Sequence, residues 1–303
     1  MVSPEARAEI DRMWVDRQRA AARPSPPKSI EQERREWEAA SRLIVLPKGA
    51  RFQPVDAAGI KAEWMEMPPI ARERVFLLLH GGGYTSGSPR THRKLAASLS
   101  RATYARVLTP EYRLAPEHPF PAGVKDAIKI YGWLLDQGVP ASNILVGGDS
   151  AGGGLTLSML LALRDAGAQL PRAAVLMSAW TDLTVSSPSA QAHKKIDPSV
   201  TRESLRSAAK LYVGERNPAD PMASPLFADQ RGMPPMLLQV GGNEILLDDS
   251  RLLAERARAA GVAATCKIYD GMWHVHQFAA PEVPEAQAAM NDIAAFIRAQ
   301  FGD

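Results

Sequence analysis

The chain has 303 residues, enough for one large α/β domain or two small ones. Hydrophobic residues make up 46% and charged residues 23%, which excludes a disordered or fibrous protein. A net charge of +3 without a lysine/arginine block argues against a nucleic-acid partner, and no apolar run reaches membrane-spanning length. One cysteine excludes an intrachain disulfide, and the N-terminus lacks a signal-peptide core, so we expect a cytoplasmic protein without a membrane partner.

Residues 1–48 are predicted to form an N-terminal cap of two amphipathic helices, separated by a proline-rich stretch at 23–27. Apolar residues recur at helical spacing in both: Ile10, Met13 and Trp14 in the first, and Ile30, Trp37 and Ile44 in the second. Ser29 followed by Gln32 predicts a capping box at the start of the second helix. Because so narrow a stripe cannot form its own core, we expect these helices to pack on the rest of the chain rather than to form a mobile arm.

Residues 49–303 are predicted to form the main domain, in which strands and helices alternate. Eight strands are predicted, at 52–55, 60–67, 74–80, 105–109, 143–146, 173–178, 236–240 and 265–269. This alternation predicts the α/β class, with a mostly parallel eight-stranded sheet flanked by helices. After the sixth strand, residues 183–225 form a predicted insertion with one clear helix at 201–212. Connections this long are usually functional, so we expect the insertion to cover the site together with the N-terminal helices.

Ser150 lies in Gly148-Asp149-Ser150-Ala151-Gly152, a G-x-S-x-G motif between a predicted buried strand and a predicted helix. In that context the serine adopts a strained backbone conformation that projects its Oγ above the sheet edge. The strand and the helix pass too close for a Cβ, which explains both glycines. Ser150 is therefore a candidate nucleophile rather than an incidental residue of a glycine-rich turn.

A serine nucleophile needs a general base, and in this arrangement the base follows the serine in the chain. Three histidines qualify by position: His193, His274 and His276. His193 lies in the insertion beside two lysines, so we expect it to be solvated. His274 and His276 follow the last strand, where the base is expected. A metal pair is the alternative for these two, but no third ligand has suitable spacing, so we expect no metal.

The acid that orients the base should follow the seventh strand. Glu244 is the first carboxylate after that strand ends, and it is the preferred candidate. Asp248 follows about one turn later, at a helix start where an acidic side chain is favourable in any case. Asp182, after the sixth strand, is a third possibility. The residues alone leave these alternatives open.

The glycine-rich turn His80-Gly81-Gly82-Gly83 follows a buried strand and provides backbone N–H groups without crowding side chains. Such donors stabilise the oxyanion that forms during acyl transfer. We assign this role to the N–H groups of Gly82, Gly83 and Ala151, the last being the residue after the nucleophile. His80 is expected to fix the loop by hydrogen bonding.

With these motifs the chain resembles the bacterial hormone-sensitive-lipase-like (family IV) esterases of the α/β-hydrolase superfamily, including members of the monoterpene lactone hydrolase type. The likeness covers about residues 45–300 and rests on HGGGY at 80–84, YRLAPEH at 112–118, GDSAGG at 148–153, WTD at 180–182 and the His274 loop. It implies an α/β-hydrolase fold with a two-part helical cap, short-acyl carboxylic esters as small-molecule substrates, no cofactor, and homodimers formed through the last strand. It also implies that the base is His274 rather than His276.

The acid turn departs from the resemblance. The family usually has Asp-Pro-Leu there, whereas this chain has Glu244-Ile245-Leu246. After the base, Val275-His276 stands where the family often has phenylalanine in second place. The first departure affects the choice of the acid, and the second affects the shape of the pocket.

The predicted function is that of a serine carboxylesterase using Ser150, His274 and Glu244. A lactone hydrolase would use the same residues and differ only in pocket shape. A ligand-binding protein on this fold is a remote alternative, and the presence of His274 counts against it. Tyr84 and Trp180 each follow a strand end and are predicted to line the acyl or alcohol pocket, with core or rim packing as the alternative.

Overall fold

The computed structural model describes residues 2–22 and 28–302. Its helices are α1 (Pro4–Ala22), α2 (Ile30–Ser41), α3 (Arg93–Thr103), α4 (Ala122–Asp136), α5 (Ala151–Asp165), α6 (Pro188–Ala192), α7 (Arg202–Val213), α8 (Leu247–Ala259) and α9 (Pro284–Phe301). Its strands are β1 (Arg51–Ala57), β2 (Ile60–Glu66), β3 (Val75–Leu79), β4 (Arg106–Pro110), β5 (Ile144–Asp149), β6 (Ala173–Met177), β7 (Met236–Gly241) and β8 (Ala264–Tyr269). The proline-rich stretch 23–27 lies outside the described residues.

The strands form one eight-stranded sheet in the order β1-β2-β4-β3-β5-β6-β7-β8. Pairing is antiparallel for β1 with β2 and for β2 with β4, and parallel from β4 to β8. The prediction of a mostly parallel eight-stranded sheet is confirmed. Every residue of β3, β5, β6 and β7 is buried, because helices cover both faces of the sheet and the strands are accordingly continuous apolar runs.

Two apolar clusters lie on opposite faces of the sheet. One packs α4, α5 and α8 against one face, and the other packs α3, α9 and the buried residues of α1 against the other. Within α1, Ala6 and Ile10 are buried, while both Ser3 N and Ser3 Oγ donate to Glu285 at the start of α9, at 2.6 and 2.7 Å. The first helix therefore packs against the rest of the chain.

Helix α2 begins with the expected capping box: Gln32 N donates to Ser29 Oγ at 3.2 Å, and the Gln32 side chain accepts from Ser29 N. The helix ends at Ser41, so Ile44 lies outside it and is 41% exposed. The prediction that Ile44 belongs to the apolar stripe is wrong. The helix is instead held by Arg34, which donates to the carbonyl of Thr85 at 2.6 Å in the loop after β3.

The connection between β6 and β7 contains α7, the predicted helix, with Thr201 as its N-cap. It also contains the short helix α6, which the sequence did not predict. Among the described residues, no helix combines the length and the apolar content needed to cross a membrane.

Candidate active site

Ser150 occupies the sharp turn between β5 and α5, with φ 52° and ψ −121°. A left-handed φ is costly for a residue with a side chain, so tertiary packing must impose it. A Cβ on Gly148 would lie 2.4 Å from the backbone of Gly152, and a Cβ on Gly152 would lie 1.9 Å from the Leu79 carbonyl oxygen. The predicted steric need for both glycines is confirmed.

The loops after the four parallel strands β5 to β8 lie side by side at one edge of the sheet. Backbone hydrogen bonds continue the ladder past the strand ends: Ser150 N to Met177 O at 2.9 Å, Ser178 N to Gln239 O at 2.7 Å, and Gly242 N to Tyr269 O at 2.8 Å. The segments carrying Ser150, Glu244 and His274 therefore share one edge, although they are far apart in sequence.

Glu244 and His274 are hydrogen-bonded, with 2.8 Å between Glu244 Oε2 and His274 Nδ1. Glu244 is fully buried. Its other oxygen, Oε1, accepts from Ser178 Oγ at 2.6 Å and from Gly241 N at 2.5 Å. With both oxygens engaged, the carboxylate has one orientation, and it fixes the imidazole so that Nε2 is the ring nitrogen left free.

Ser178 is part of the site that the sequence analysis missed. It directly follows β6, has φ 48°, and its Oγ donates to Glu244 while accepting from Val275 N at 3.0 Å. One hydroxyl thus joins the acid turn to the segment that carries His274. Its position, as the first residue after a strand at the same sheet edge, is the signal that could have identified it.

The surroundings of His274 raise its pKa above the ordinary value of 6.5. Burial by itself would lower the pKa of this imidazole. The hydrogen bond and charge of Glu244, with further contributions from Asp197 and Asp149, outweigh burial and stabilise the protonated form. An imidazole with this pKa is suited to accept a proton from a neighbouring hydroxyl.

The alternative acids are engaged elsewhere. Asp248 bonds Ser189 N at 2.8 Å and Arg251 Nε at 2.9 Å. Asp182 accepts from Thr184 and Ser186 within its own turn. Neither carboxylate bonds a histidine within the described residues.

The two alternative candidates for the base, His193 and His276, have other hydrogen-bond and ring partners than His274. His276 is fully buried, with its ring centroid 4.8 Å from that of Tyr269, and burial lowers its pKa to about 4. His193 was expected to be solvated, and this is wrong: it is half-buried, and its Nδ1 donates to the Glu244 carbonyl oxygen at 2.9 Å. Its partner lies 51 residues away, so the flanking lysines did not reveal its environment.

The glycine turn after β3 presents unpaired amides. Gly82 and Gly83 have φ of 115° and 63°, which favours glycine. In the part of the chain that the structure describes, neither Gly82 N nor Gly83 N donates a hydrogen bond. Ala151 is the first residue of α5, and its N–H, like others in the first turn of a helix, has no partner inside the helix.

A buried polar cluster anchors this glycine turn to the Ser150 turn. Gly81 N donates to Asp149 Oδ1 at 3.1 Å, and His92 Nε2 lies 3.3 Å from the same oxygen. Burial alone would raise the pKa of Asp149, but His92, with His80 and the Gly81 N–H, holds it below its ordinary value. His80 stacks on Tyr112 with 4.2 Å between ring centroids, and burial lowers its pKa to about 3. His80 thus helps to hold the loop as a neutral ring.

Tyr84 and Trp180 are both buried, with 2% and 0% of their surface exposed. Tyr84 stacks on Tyr212 at 3.8 Å between ring centroids, and Trp180 Nε1 donates to the Asp182 carbonyl oxygen at 2.9 Å. Side chains that line an open pocket retain exposed surface, which these lack. Their placement corresponds to core packing, the alternative to the predicted role in the pocket.

A family model described as the alpha/beta hydrolase fold matches residues 76–278. The chain is 42% identical over 242 residues to an acetyl-hydrolase of Streptomyces hygroscopicus, covering 80% of this chain and 81% of the relative. It is 38% identical over 256 residues to an esterase of Acinetobacter venetianus, covering 84% of each chain. The solved structure of an esterase from the bacterial hormone-sensitive lipase family is 45% identical, superposes with a TM-score of 0.92 and covers 99% of both chains. The chain has the α/β-hydrolase fold and belongs to the bacterial hormone-sensitive-lipase-like (family IV) esterases, which makes it a carboxylic ester hydrolase.

Proposed function

We propose that the protein is a serine carboxylesterase in which Ser150 is the nucleophile, His274 the general base and Glu244 the residue that orients His274. The observation that carries the proposal is the 2.8 Å bond between Glu244 and His274 on the sheet edge where the Ser150 turn also lies. The amides of Gly82 and Gly83 have no hydrogen-bond partner among the described residues, and with the Ala151 N–H this supports their assignment as oxyanion donors.

In the acylation step, Ser150 Oγ forms a bond to the ester carbonyl carbon while its proton passes to His274 Nε2. The carbonyl π electrons move to oxygen, and the three backbone N–H groups stabilise that negative charge. Collapse of the tetrahedral intermediate breaks the carbon–oxygen bond to the alcohol, which leaves with the proton from Nε2. Glu244 stays ionised and stabilises the imidazolium that forms.

In the deacylation step, water replaces the alcohol. It attacks the acyl carbon while its proton passes to His274 Nε2, and the second collapse returns that proton to Ser150 Oγ. The products are the carboxylic acid and the free enzyme, so both steps balance without a cofactor.

Replacing Ser150 tests the assignment directly. S150A should lower kcat on p-nitrophenyl butyrate by about 10⁶, as removal of a triad nucleophile does. An unchanged thermal midpoint would show that the variant is folded. A fluorophosphonate probe should label the wild type and not S150A. A variant that keeps wild-type turnover would refute the nucleophile assignment, and a wild type that resists the probe would favour the ligand-binding alternative.

The substrate class that we propose is short-acyl esters, supported by the relative that is named an acetyl-hydrolase. Lactones undergo the same acyl transfer, and the resemblance to lactone hydrolases leaves them as the alternative. Turnover of acyl esters from acetate to decanoate, run in parallel with caprolactone-type rings, distinguishes the two. We expect the highest kcat/KM on acetate and butyrate.

Two accompanying predictions concern assembly and location. A homodimer through β8 is supported by two observations: β8 is the last strand in the sheet order, and its Ile268 is 44% exposed. A monomeric mass by light scattering would contradict it. The expected cytoplasmic location is checked by cell fractionation.

A further inference from the structure

The cap insertion forms five hydrogen bonds with the turn that carries Glu244 and with the start of helix α8, which follows that turn. Two involve the turn's first residues: His193 Nδ1 donates to Glu244 O, and Ile245 N donates to Asp197 Oδ2, both at 2.9 Å. The other three involve Ser189: its Oγ donates to Ile245 O of the turn at 2.7 Å, its N donates to Asp248 Oδ2 of α8 at 2.8 Å, and its Oγ accepts from Asp248 N at 3.0 Å. The acid turn is thus held from outside the sheet as well as from within it.

Asp197 is the acidic residue that the insertion contributes to these hydrogen bonds. It is 1% exposed, and its Oδ1 accepts from Ser199 N at 2.8 Å and from Val200 N at 3.0 Å. Its Oδ2 accepts only from Ile245 N within the described residues. One oxygen of this buried carboxylate accepts hydrogen bonds from its own loop, and the other accepts one from the turn that carries Glu244. The carboxylate therefore fixes the distance between the two segments.

The N-terminal helix α1 contacts Asp197 through a hydrogen bond to its backbone. Arg17 of α1 donates from Nη1 to the Asp197 carbonyl oxygen at 2.6 Å. Helix α1, the insertion and the acid turn are therefore joined in series at this residue. Through Asp197, helix α1 is linked to the turn that carries Glu244.

We infer that Asp197 is a positioning residue of the esterase: by binding the Ile245 N–H, it holds Glu244 in the orientation that His274 requires. The inference rests on the proposed function, because it acts through Glu244. Asp197 does not touch the reacting atoms. Its effect on catalysis should disappear when Ile245 has no N–H to offer.

The test is a double-mutant cycle of D197N and I245P in the full chain, assayed on p-nitrophenyl butyrate. Asparagine keeps one acceptor oxygen but cannot serve both Ile245 and the local loop, while proline removes the N–H itself. D197N should lower kcat about tenfold with KM nearly unchanged, since a misplaced Glu244 weakens only the transition state. In the I245P background, D197N should change kcat less than about twofold. D220N is the matched control: Asp220 caps Met222 N in the same insertion without contacting the acid turn, and it should leave kcat unchanged.

Two further readouts keep the test decisive if I245P folds poorly. Hydrogen exchange at Ile245 N–H should accelerate in D197N and not in D220N. The acidic limb of kcat/KM should also move to lower pH in D197N. His274 faces the carboxylates of Glu244, Asp197 and Asp149, and Asp197 faces His274 and Glu244, so removing one negative charge favours the neutral imidazole.

The outcomes separate the inference from the proposed function. E244Q inactive with D197N at wild-type kcat would overturn the inference alone. An equal loss from D197N in both backgrounds would do the same, because Asp197 would then act on stability and not through Ile245. A loss in D197N as large as that in E244Q would also overturn the inference, because a residue that only positions Glu244 should leave most of the effect of its carboxylate in place. E244Q with wild-type activity would overturn both.

Discussion

The two sides of the proposed active site are built in different ways: the serine side is the Ser150 turn, and the acid–base side is the hydrogen-bonded pair of Glu244 and His274. The serine side depends on backbone packing. The Ser150 turn requires glycine at positions 148 and 152, because the strand, helix and loop backbones leave no room for a Cβ there. The acid–base side depends on hydrogen bonds between side chains. Glu244 is oriented by a hydroxyl 66 residues away, and its turn is gripped by His193 from 51 residues away.

This contrast determines what each side tolerates. A steric requirement is absolute, because an added methyl group has nowhere to go when its neighbours are backbone atoms. A hydrogen-bonded arrangement degrades in steps, because each lost donor costs about 1–3 kcal/mol and the remaining donors still act. We therefore expect substitution of Gly148 or Gly152 to affect folding, and substitutions on the acid–base side to affect mainly the turnover of a protein that still folds.

The largest expected effect is from G152A. Its Cβ would lie 1.9 Å from the Leu79 carbonyl oxygen and 2.6 Å from that of His80, both backbone atoms. We expect a loss of about 3 kcal/mol or more in the free energy of unfolding, measured by urea denaturation, with loss of esterase activity. G132A is the control: in α4 the added Cβ meets no heavy atom within 4 Å, and the helix should gain up to about 1 kcal/mol. If G152A and G132A were equally stable, the steric explanation of the Ser150 turn would be wrong.

The next effect is from E244Q, which should leave the fold intact and lower kcat by about 10³ to 10⁴. Glutamine preserves the shape of the side chain but cannot stabilise the imidazolium as a carboxylate does. The measurements are kcat on p-nitrophenyl butyrate and the thermal midpoint. A variant within about tenfold of the wild-type kcat would assign the acid role elsewhere.

A smaller effect is expected from S178A. It leaves Glu244 Oε1 with one donor and Val275 N with no acceptor, at a cost of about 1–3 kcal/mol in stability. We expect kcat to fall about tenfold, because the carboxylate still binds His274 but is less firmly oriented. S158A is the matched control: within the described part of the chain, the buried Ser158 hydroxyl bonds only the Gly154 carbonyl of its own helix, so the variant should keep wild-type kcat. Equal kcat in both variants would mean that Gly241 N alone orients Glu244.

The same contrast explains what could be predicted from the sequence. The Ser150 turn could be predicted because steric exclusion requires glycine at fixed spacing around Ser150. The sheet could be predicted because strands buried on both faces must be continuous apolar runs. Glu244 was predicted as the first carboxylate after the end of a strand, which is a rule of topology rather than of local motif. The same rule indicated the loop of His274 and His276, and the resemblance to the family chose His274.

Partners that meet through tertiary structure could not be predicted. His193 looked solvated because its neighbours in sequence are lysines, yet its ring meets the Glu244 carbonyl. Asp197 carries no local motif at all. Ile245 occupies the position where proline is usual in the family. Unlike proline, it has a backbone N–H, and this N–H donates to Asp197. The departure was visible in the sequence, but its partner was not.

The smallest expected effect concerns pH, and it also separates the two sides. On the serine side, the pKa of Asp149 is held below its ordinary value and that of His80 is lowered to about 3, so neither group should change charge near neutrality. On the acid–base side, the pKa of His274 is raised above 6.5. Because the base must be neutral, kcat/KM should fall as the pH decreases through a single value above 6.5.

Stability should respond to the same group with the opposite sign. A raised folded-state pKa means that the pairing of His274 with Glu244 contributes stability that is fully present below pH 6.5 and lost as the pH rises through the folded-state pKa. Thermal midpoints and kcat/KM measured on the same samples from about pH 5 to 9 should therefore show activity rising while this contribution fades. E244Q removes the charge and should move any residual acidic limb to lower pH. A wild-type limb well below pH 6.5 would mean that the carboxylate does not stabilise the imidazolium, because burial alone lowers the pKa of that ring.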